Sequence, residues 1–125
     1  MILVTGATGL LGSHLLLELA SAGKSVRALR RSNSSQQLVQ RVFERADKSA
    51  LLSSIQWLEG DVTEVYTLQD AMQGVEVVYH CAGKVSFNRG DDAALFRINT
   101  DGTANVVNEA INPTQNGNRF AVKTF

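Results

Sequence analysis

Thr5-Gly-Ala-Thr-Gly-Leu-Leu-Gly12 sets glycines at positions 6, 9 and 12 between an apolar, β-branched run and a leucine-rich segment of helical period. No other feature limits the fold of this chain so strongly. A strand that turns through glycine into a helix leaves the first N–H groups of that helix unpaired, and the positive end of the helix dipole there favours an anion. One glycine permits the tight turn, another lets backbone amides approach a pyrophosphate, and a third allows close helix-strand packing. A plain glycine-rich turn is the alternative. The second strand at the expected place argues against it.

The rest of the chain continues the alternation. Met1-Ile-Leu-Val-Thr5 is apolar without interruption, as suits a central parallel strand covered on both faces. From Leu10 to about Ala22, Leu11, Leu15 and Leu19 recur at helical spacing with Leu16 and Ala20 beside them, while His14, Glu18 and Ser21 share the opposite side. Further strands are predicted over Ser25–Leu29, Ile55–Leu58, Val75–Cys81 and Arg119–Thr124. A helix runs through Leu38, Val39, Val42 and Phe43, with cap candidates in Ser32-Asn-Ser-Ser35, and a short one covers Thr67 to Met72. Leu95, Ile98, Gly102, Val106 and Ala110 predict one stripe on a long helix from about Asp91 to Ile111, with Asn99 on the same side and its amide partly buried.

Composition removes several classes of function. Twelve basic residues balance twelve acidic ones, so there is no excess positive charge for nucleic acid or an anionic membrane surface. An apolar share of 44% with one proline supports a single packed unit and argues against disorder. The lone Cys81 cannot form an intramolecular disulfide, no Cys and His cluster has zinc-ligand spacing, and the composition fits a reducing cytoplasm. Met1 to Val4 is too short an apolar run for a signal-peptide core or a membrane span. Gly23-Lys24-Ser25 does not make a P-loop, because position 18 is Glu and the triplet ends a helix instead of opening one.

Cofactor choice is read at the end of the second strand, where an acid would hold a ribose 2′-hydroxyl and an arginine would accommodate a 2′-phosphate. Here stand Arg30-Arg31-Ser32 and no acid, which favours NADP and leaves NAD open. Solvated surface charge is the alternative for both arginines, and strand alternation lets only one of them face a cofactor.

Gly6, Gly9 and Gly12, Gly60-Asp61-Val62, His80-Cys-Ala-Gly83 and Asn99-Thr-Asp-Gly-Thr-Ala-Asn105 together resemble the extended short-chain dehydrogenases/reductases, from Met1 to about Ile111. That group includes NAD(P)-dependent epimerases and dehydratases and enzymes like dihydroflavonol reductase and 3β-hydroxysteroid dehydrogenase. The resemblance implies a Rossmann fold, a doubly wound parallel sheet of five strands in order 3-2-1-4-5, over residues 1–125. It implies a cofactor site of Gly6, Thr8, Gly9, Leu10, Leu11 and Gly12, with Arg30, Arg31 and Ser32, then Asp61 and Val62 near the adenine. Ala82 and Gly83 would pass close to the cofactor, and Asn99 would bond near the sheet centre or support a proton relay. The alternatives are a turn-forming Asp61 after Gly60 and a purely structural Asn99 amide. His80 and Cys81 read as strand residues.

The chemistry of that family needs a tyrosine with a lysine four positions later and an assisting hydroxyl. Tyr66 and Tyr79 are followed at that spacing by Asp70 and Gly83, and the segment after the fifth strand reads Lys123-Thr124-Phe125, so no catalytic residue is assigned. Hydride transfer between NADP(H) and a carbonyl or alcohol carbon is the activity implied for the parent enzyme. Whether this chain is itself an enzyme is left open. The other expectations are a non-catalytic NADP(H)-binding or sensing module and a truncated product without its own activity. An unpaired fifth-strand edge would also promote self-association.

Overall fold

An apolar run needs cover on both faces, and β1 (Ile2–Thr5) lies inside the sheet of the computed structural model. The structure describes residues 1–82, 90, 92–111 and 121–124, the side chains of 94 and 121–124 excepted. β2 (Val26–Arg30) and β4 (Val77–His80) flank β1, and β3 (Ile55–Glu59) lies outside β2. β5 (Ala121–Thr124) runs beside β4, and the order is β3-β2-β1-β4-β5. All these pairs are parallel, with Leu3 opposite both Arg27 and Val78.

Side-chain alternation divides the core between the two faces of the sheet. Val4, Val26 and Ala28 pack with Leu16 and Ala20 of α1 (Leu10–Ser21) and with Val39, Val42 and Phe43 of α2 (Gln37–Arg45). Leu3, Leu29 and Val78 pack on the other face with Leu68 and Ala71 of α3 (Val65–Ala71) and with Val106 and Ala110 of α5 (Gly102–Ala110). Burying each large aliphatic or aromatic side chain contributes about 1.5–3 kcal/mol, so both layers are needed to offset the ordering of the chain. Arg27 reaches from β2 to the end of α3, where its guanidinium donates to the carbonyl oxygens of Ala71 at 2.6 Å and Gln73 at 2.7 Å. A cation at a helix C-terminus satisfies otherwise orphaned carbonyls.

Three expectations need correction. On α1 Leu16 and Ala20 are buried with Leu15 and Leu19 packed beside them as expected, but Leu11 is 51% exposed and Gly12 and Ser13 are buried next to it instead. Gly12 sets that phase, because a Cβ on it would stand 2.1 Å from the Gly6 carbonyl oxygen, so this residue must face the preceding loop. A 3₁₀ turn at Ser49–Ser54, which no periodicity announced, leads into β3. The long helix is interrupted: α4 (Asp92–Phe96) passes into a π-turn at Arg97–Asp101 before α5, and the Gly102 N–H donates to the Arg97 carbonyl. A π-turn advances less per residue than an α-helix, so it rotates Asn99 off the stripe, and Asn99 is exposed where partial burial was expected. Below the break, α5 is held against the loop after β3. The Asn105 amide donates to the Val62 carbonyl at 3.0 Å, and a Cβ on Gly102 would meet Val62 Cγ2 at 2.7 Å.

The contact at Gly12 generates a test. Alanine in a helix is worth about 1 kcal/mol over glycine, yet here the obstacle is backbone, and overpacking of that kind costs about 1–3 kcal/mol or more. Gly12→Ala is expected to lower the urea midpoint, whereas Gly9→Ala, whose Cβ would find its nearest atom at 3.5 Å, leaves it nearly unchanged. Equal midpoints for wild type and Gly12→Ala would contradict the packing role.

Candidate functional site

The carboxyl ends of β1 to β4 open on one cleft of about 230 Å³, partly open to solvent. Gly6 and Thr8 line it from the turn after β1, Leu29, Arg30, Arg31 and Ser34 from the end of β2, and Gly60, Asp61 and Val62 from the end of β3. Ala82 and Ile98 complete the lining, the latter carried in by the π-turn. In doubly wound sheets this crevice at the carboxyl ends is where ligands bind.

Gly6 makes the close approach possible. Its φ is +64°, and a Cβ there would lie 2.5 Å from the Ala82 nitrogen and the Cys81 carbonyl carbon, so two backbone segments touch at the cleft floor. Gly9 is the N-cap of α1, which has neither a side-chain cap nor an acid in its first turn. Those first N–H groups and the dipole they carry are therefore left for an anion.

Of the residues singled out in the sequence, the cleft gathers Gly6, Thr8, Arg30, Arg31, Asp61, Val62 and Ala82. It does not gather Gly9, Gly12, Leu10, Leu11, Ser32 or Asn99. Leu10 and Leu11 are 69% and 51% exposed, and Leu10 instead lines a groove between α1 and α2 with Leu17 and Leu38. Ser32 lies in an adjoining polar groove that shares Arg31, Gly60 and Asp61 with the cleft. Gly83 lies outside the described residues. Sequence reasoning missed Leu29, Ser34, Gly60 and Ile98 as lining. Only Gly60 carried a signal, since it precedes Asp61 at a strand end, and a Cβ on it would press Leu29 Cδ1 at 2.7 Å.

Several side chains have assignable chemistry. Asp61 Oδ1 accepts from the Thr63 N–H at 2.9 Å and the Thr63 hydroxyl at 2.8 Å, so part of its carboxylate serves the turn. Arg31 is exposed and shared by both polar walls, while Arg30 is half-buried. Tyr66 donates to Glu64 Oε2 at 2.6 Å, and that bond raises the phenol pKa, the wrong direction for a group that must exchange a proton near neutrality. Burial pushes the Cys81 thiol up, away from the thiolate a nucleophile needs. His80 is 1% exposed with its pKa lowered by desolvation, and it hydrogen bonds to both Thr5 and Thr103, where a bare strand residue was expected. Among the described residues there is no group of three or more His, Cys, Asp or Glu side chains able to hold a metal, and no helix long and apolar enough to cross a membrane.

The chain is similar to known proteins over most of its length. The family model for the NAD dependent epimerase/dehydratase family matches residues 2–121. A "Sterol demethylase protein B" of Methylococcus capsulatus is 38% identical over 109 residues, which cover 86% of this chain and 30% of that protein. A "3 beta-hydroxysteroid dehydrogenase type 7" of Mus musculus is 32% identical, covering 98% of this chain and 31% of that one. A short-chain dehydrogenase/reductase superfamily protein from Agrobacterium tumefaciens, solved with bound NAD, superposes with a TM-score of 0.66 at 26% identity, over 88% of this chain and 28% of the other. This chain thus spans about a third of the length of the curated relatives it matches. The chain belongs to the NAD dependent epimerase/dehydratase family of extended short-chain dehydrogenases/reductases and carries that family's oxidoreductase fold.

Proposed function

We propose that residues 1–125 form one dinucleotide-binding unit of a cytoplasmic reductase or epimerase, and that the cleft takes NADP(H) in preference to NAD(H). The observation that carries the reading is the end of β2, where Arg30 and Arg31 line the cleft and no acid stands at the tip of the strand. The residues present fit such a ligand. Gly6 gives the backbone clearance a pyrophosphate needs, and the uncapped start of α1 offers N–H donors. In this reading Gly9, Leu10, Leu11 and Gly12 contribute through the backbone of that turn, Arg31 holds the 2′-phosphate with Arg30 or Ser32 assisting, and Asp61 and Val62 flank the adenine. Ala82 and Asn99 would stand on the nicotinamide side. The bound dinucleotide would supply or accept a hydride at a carbonyl or alcohol carbon.

A second reading, a binding or sensing module for NADP(H), is favoured by one observation. Neither Tyr66 nor Tyr79 has a lysine four positions on, so a hydride donor bound here has no tyrosine and lysine in this chain to stabilise the developing alkoxide. General acid catalysis is worth about 100- to 10,000-fold. No oxidation of NADPH is therefore expected from this chain with a panel of ketones and sugar nucleotides, and saturable turnover would sink the module reading. Among the described residues β5 pairs with β4 alone. An open edge of that kind supports self-association, expected as a rise in mass with concentration by light scattering; a strictly monomeric protein would contradict it.

Cofactor choice gives the sharpest test. A charge-assisted hydrogen bond from Arg31 to a phosphate is worth about 10- to 150-fold in affinity. NADPH is expected to bind more tightly than NADH by calorimetric titration, and Arg31→Asp to reverse the order by repelling phosphate and offering the ribose an acceptor. Equal wild-type affinities, or an unchanged preference in the variant, would return both arginines to surface charge.

A further inference from the structure

At the carboxyl ends of β1 and β4, the side chains of Thr5 and His80 meet Thr103 of α5, and each donor and acceptor among the three can be assigned in turn. Thr103 Oγ1 lies 2.8 Å from the Asn99 carbonyl oxygen, which can only accept, so the one hydroxyl proton of Thr103 is committed there. Toward His80 Nε2, at 3.0 Å, Thr103 is then an acceptor, and Nε2 must carry a proton. His80 is 1% exposed and desolvation favours its neutral ring, so Nδ1 is bare and accepts from the Thr5 hydroxyl at 2.7 Å. With its proton spent, Thr5 Oγ1 accepts the Ala82 N–H at 3.3 Å.

The bonds therefore run one way: Ala82 N–H to Thr5, Thr5 to His80, His80 to Thr103, Thr103 to the Asn99 carbonyl. Both ends reach the cleft. Ala82 lines it directly, and Asn99 is the chain neighbour of Ile98, which lines it from the π-turn. The opposite tautomer would place a bare Nε2 against a hydroxyl whose proton is already used, so one of the two Thr103 bonds would be lost.

We propose that Thr5, His80 and Thr103 form a polar strut that fixes the Ala82 wall of the cleft against the Arg97–Asp101 wall, which makes His80 a positioning residue for the bound dinucleotide. The role rests on the reading of the cleft as a dinucleotide site. Two threonines and one neutral imidazole suit this task because each offers both a donor and an acceptor, so the strut crosses from sheet to helix without a buried charge.

The experiment combines imidazole nitrogen NMR with calorimetric titration of NADPH, on the full chain. His80, told apart from His14 by a His14→Gln variant, is expected as the neutral Nε2-protonated tautomer. Thr103→Val keeps the shape and removes both bonds, and is expected to weaken NADPH about 10-fold, while Thr103→Ser restores both and stays within about twofold of wild type. Thr5→Val and Thr5→Ser repeat the comparison from the β1 end should Thr103→Val fail to fold. A Nδ1-protonated or cationic His80 at neutral pH overturns the strut, as does a valine variant that melts earlier yet binds NADPH like wild type. Wild type that binds no dinucleotide overturns the reading of the cleft and the positioning role with it, while the tautomer still decides whether the strut exists.

Discussion

The close approach of three backbone segments at Gly6 is the contact on which the architecture turns. The Gly6 turn touches the chain at Cys81 and Ala82 on one side and the first turn of α1 at Gly12 on the other, and neither side has room for a Cβ. That proximity sets the phase of α1, which then presents Leu16 and Ala20 to the sheet. It also draws the exits of β1 and β4 together, so the cleft forms between loops tied to the most buried part of the sheet. The cleft is thus a by-product of packing that the core already requires.

The two faces of the sheet serve the cleft differently. Under α1 and α2 the interior is apolar apart from Ser13, whose hydroxyl donates to the Leu10 carbonyl of its own helix, with Val39 and Phe43 nearly without exposure. Under α5 the apolar layer of Leu3, Val78 and Val106 gives way near the strand ends to Thr5 and His80, both buried. Buried polar groups specify an arrangement more narrowly than apolar ones, because their bonds have direction and their loss is costly. Polar groups lie where the loops must hold position, and apolar ones where bulk stabilisation suffices.

Much of this was legible in the sequence. The central place of β1 followed from its unbroken apolar run and the strand order from the family resemblance, and the arginines at the end of β2 came to the cleft because strand ends and cleft coincide in such sheets. Asn99 and the single long helix were misread for a physical reason: periodicity assumes a constant turn, a π-turn changes it, and Gly102 at its end fits the apolar stripe of an unbroken helix equally well. His80 was read as an ordinary strand residue because its partners, Thr5 and Thr103, are 75 and 23 positions away. Ile98 and Leu29 enter the cleft through tertiary packing, which leaves no trace in local pattern.

The widened turn at Arg97–Asp101 also bears on how the helix can change. Because it holds one residue more than an α-helical turn, the segments before and after it keep separate phases. Losing one residue there would close it to an α-helical turn: the five residues of the wider turn wind the chain about as far as four α-helical ones at about 100° each, so α4 and α5 would keep their relative orientation. Phe96, which is 62% exposed, would keep its side of the helix and Gly102 and Val106 their seats on the sheet, while the side chains between Arg97 and Asp101 would be re-dealt. Length variation in this segment therefore alters which side chains overlook the cleft and leaves the core beneath it untouched.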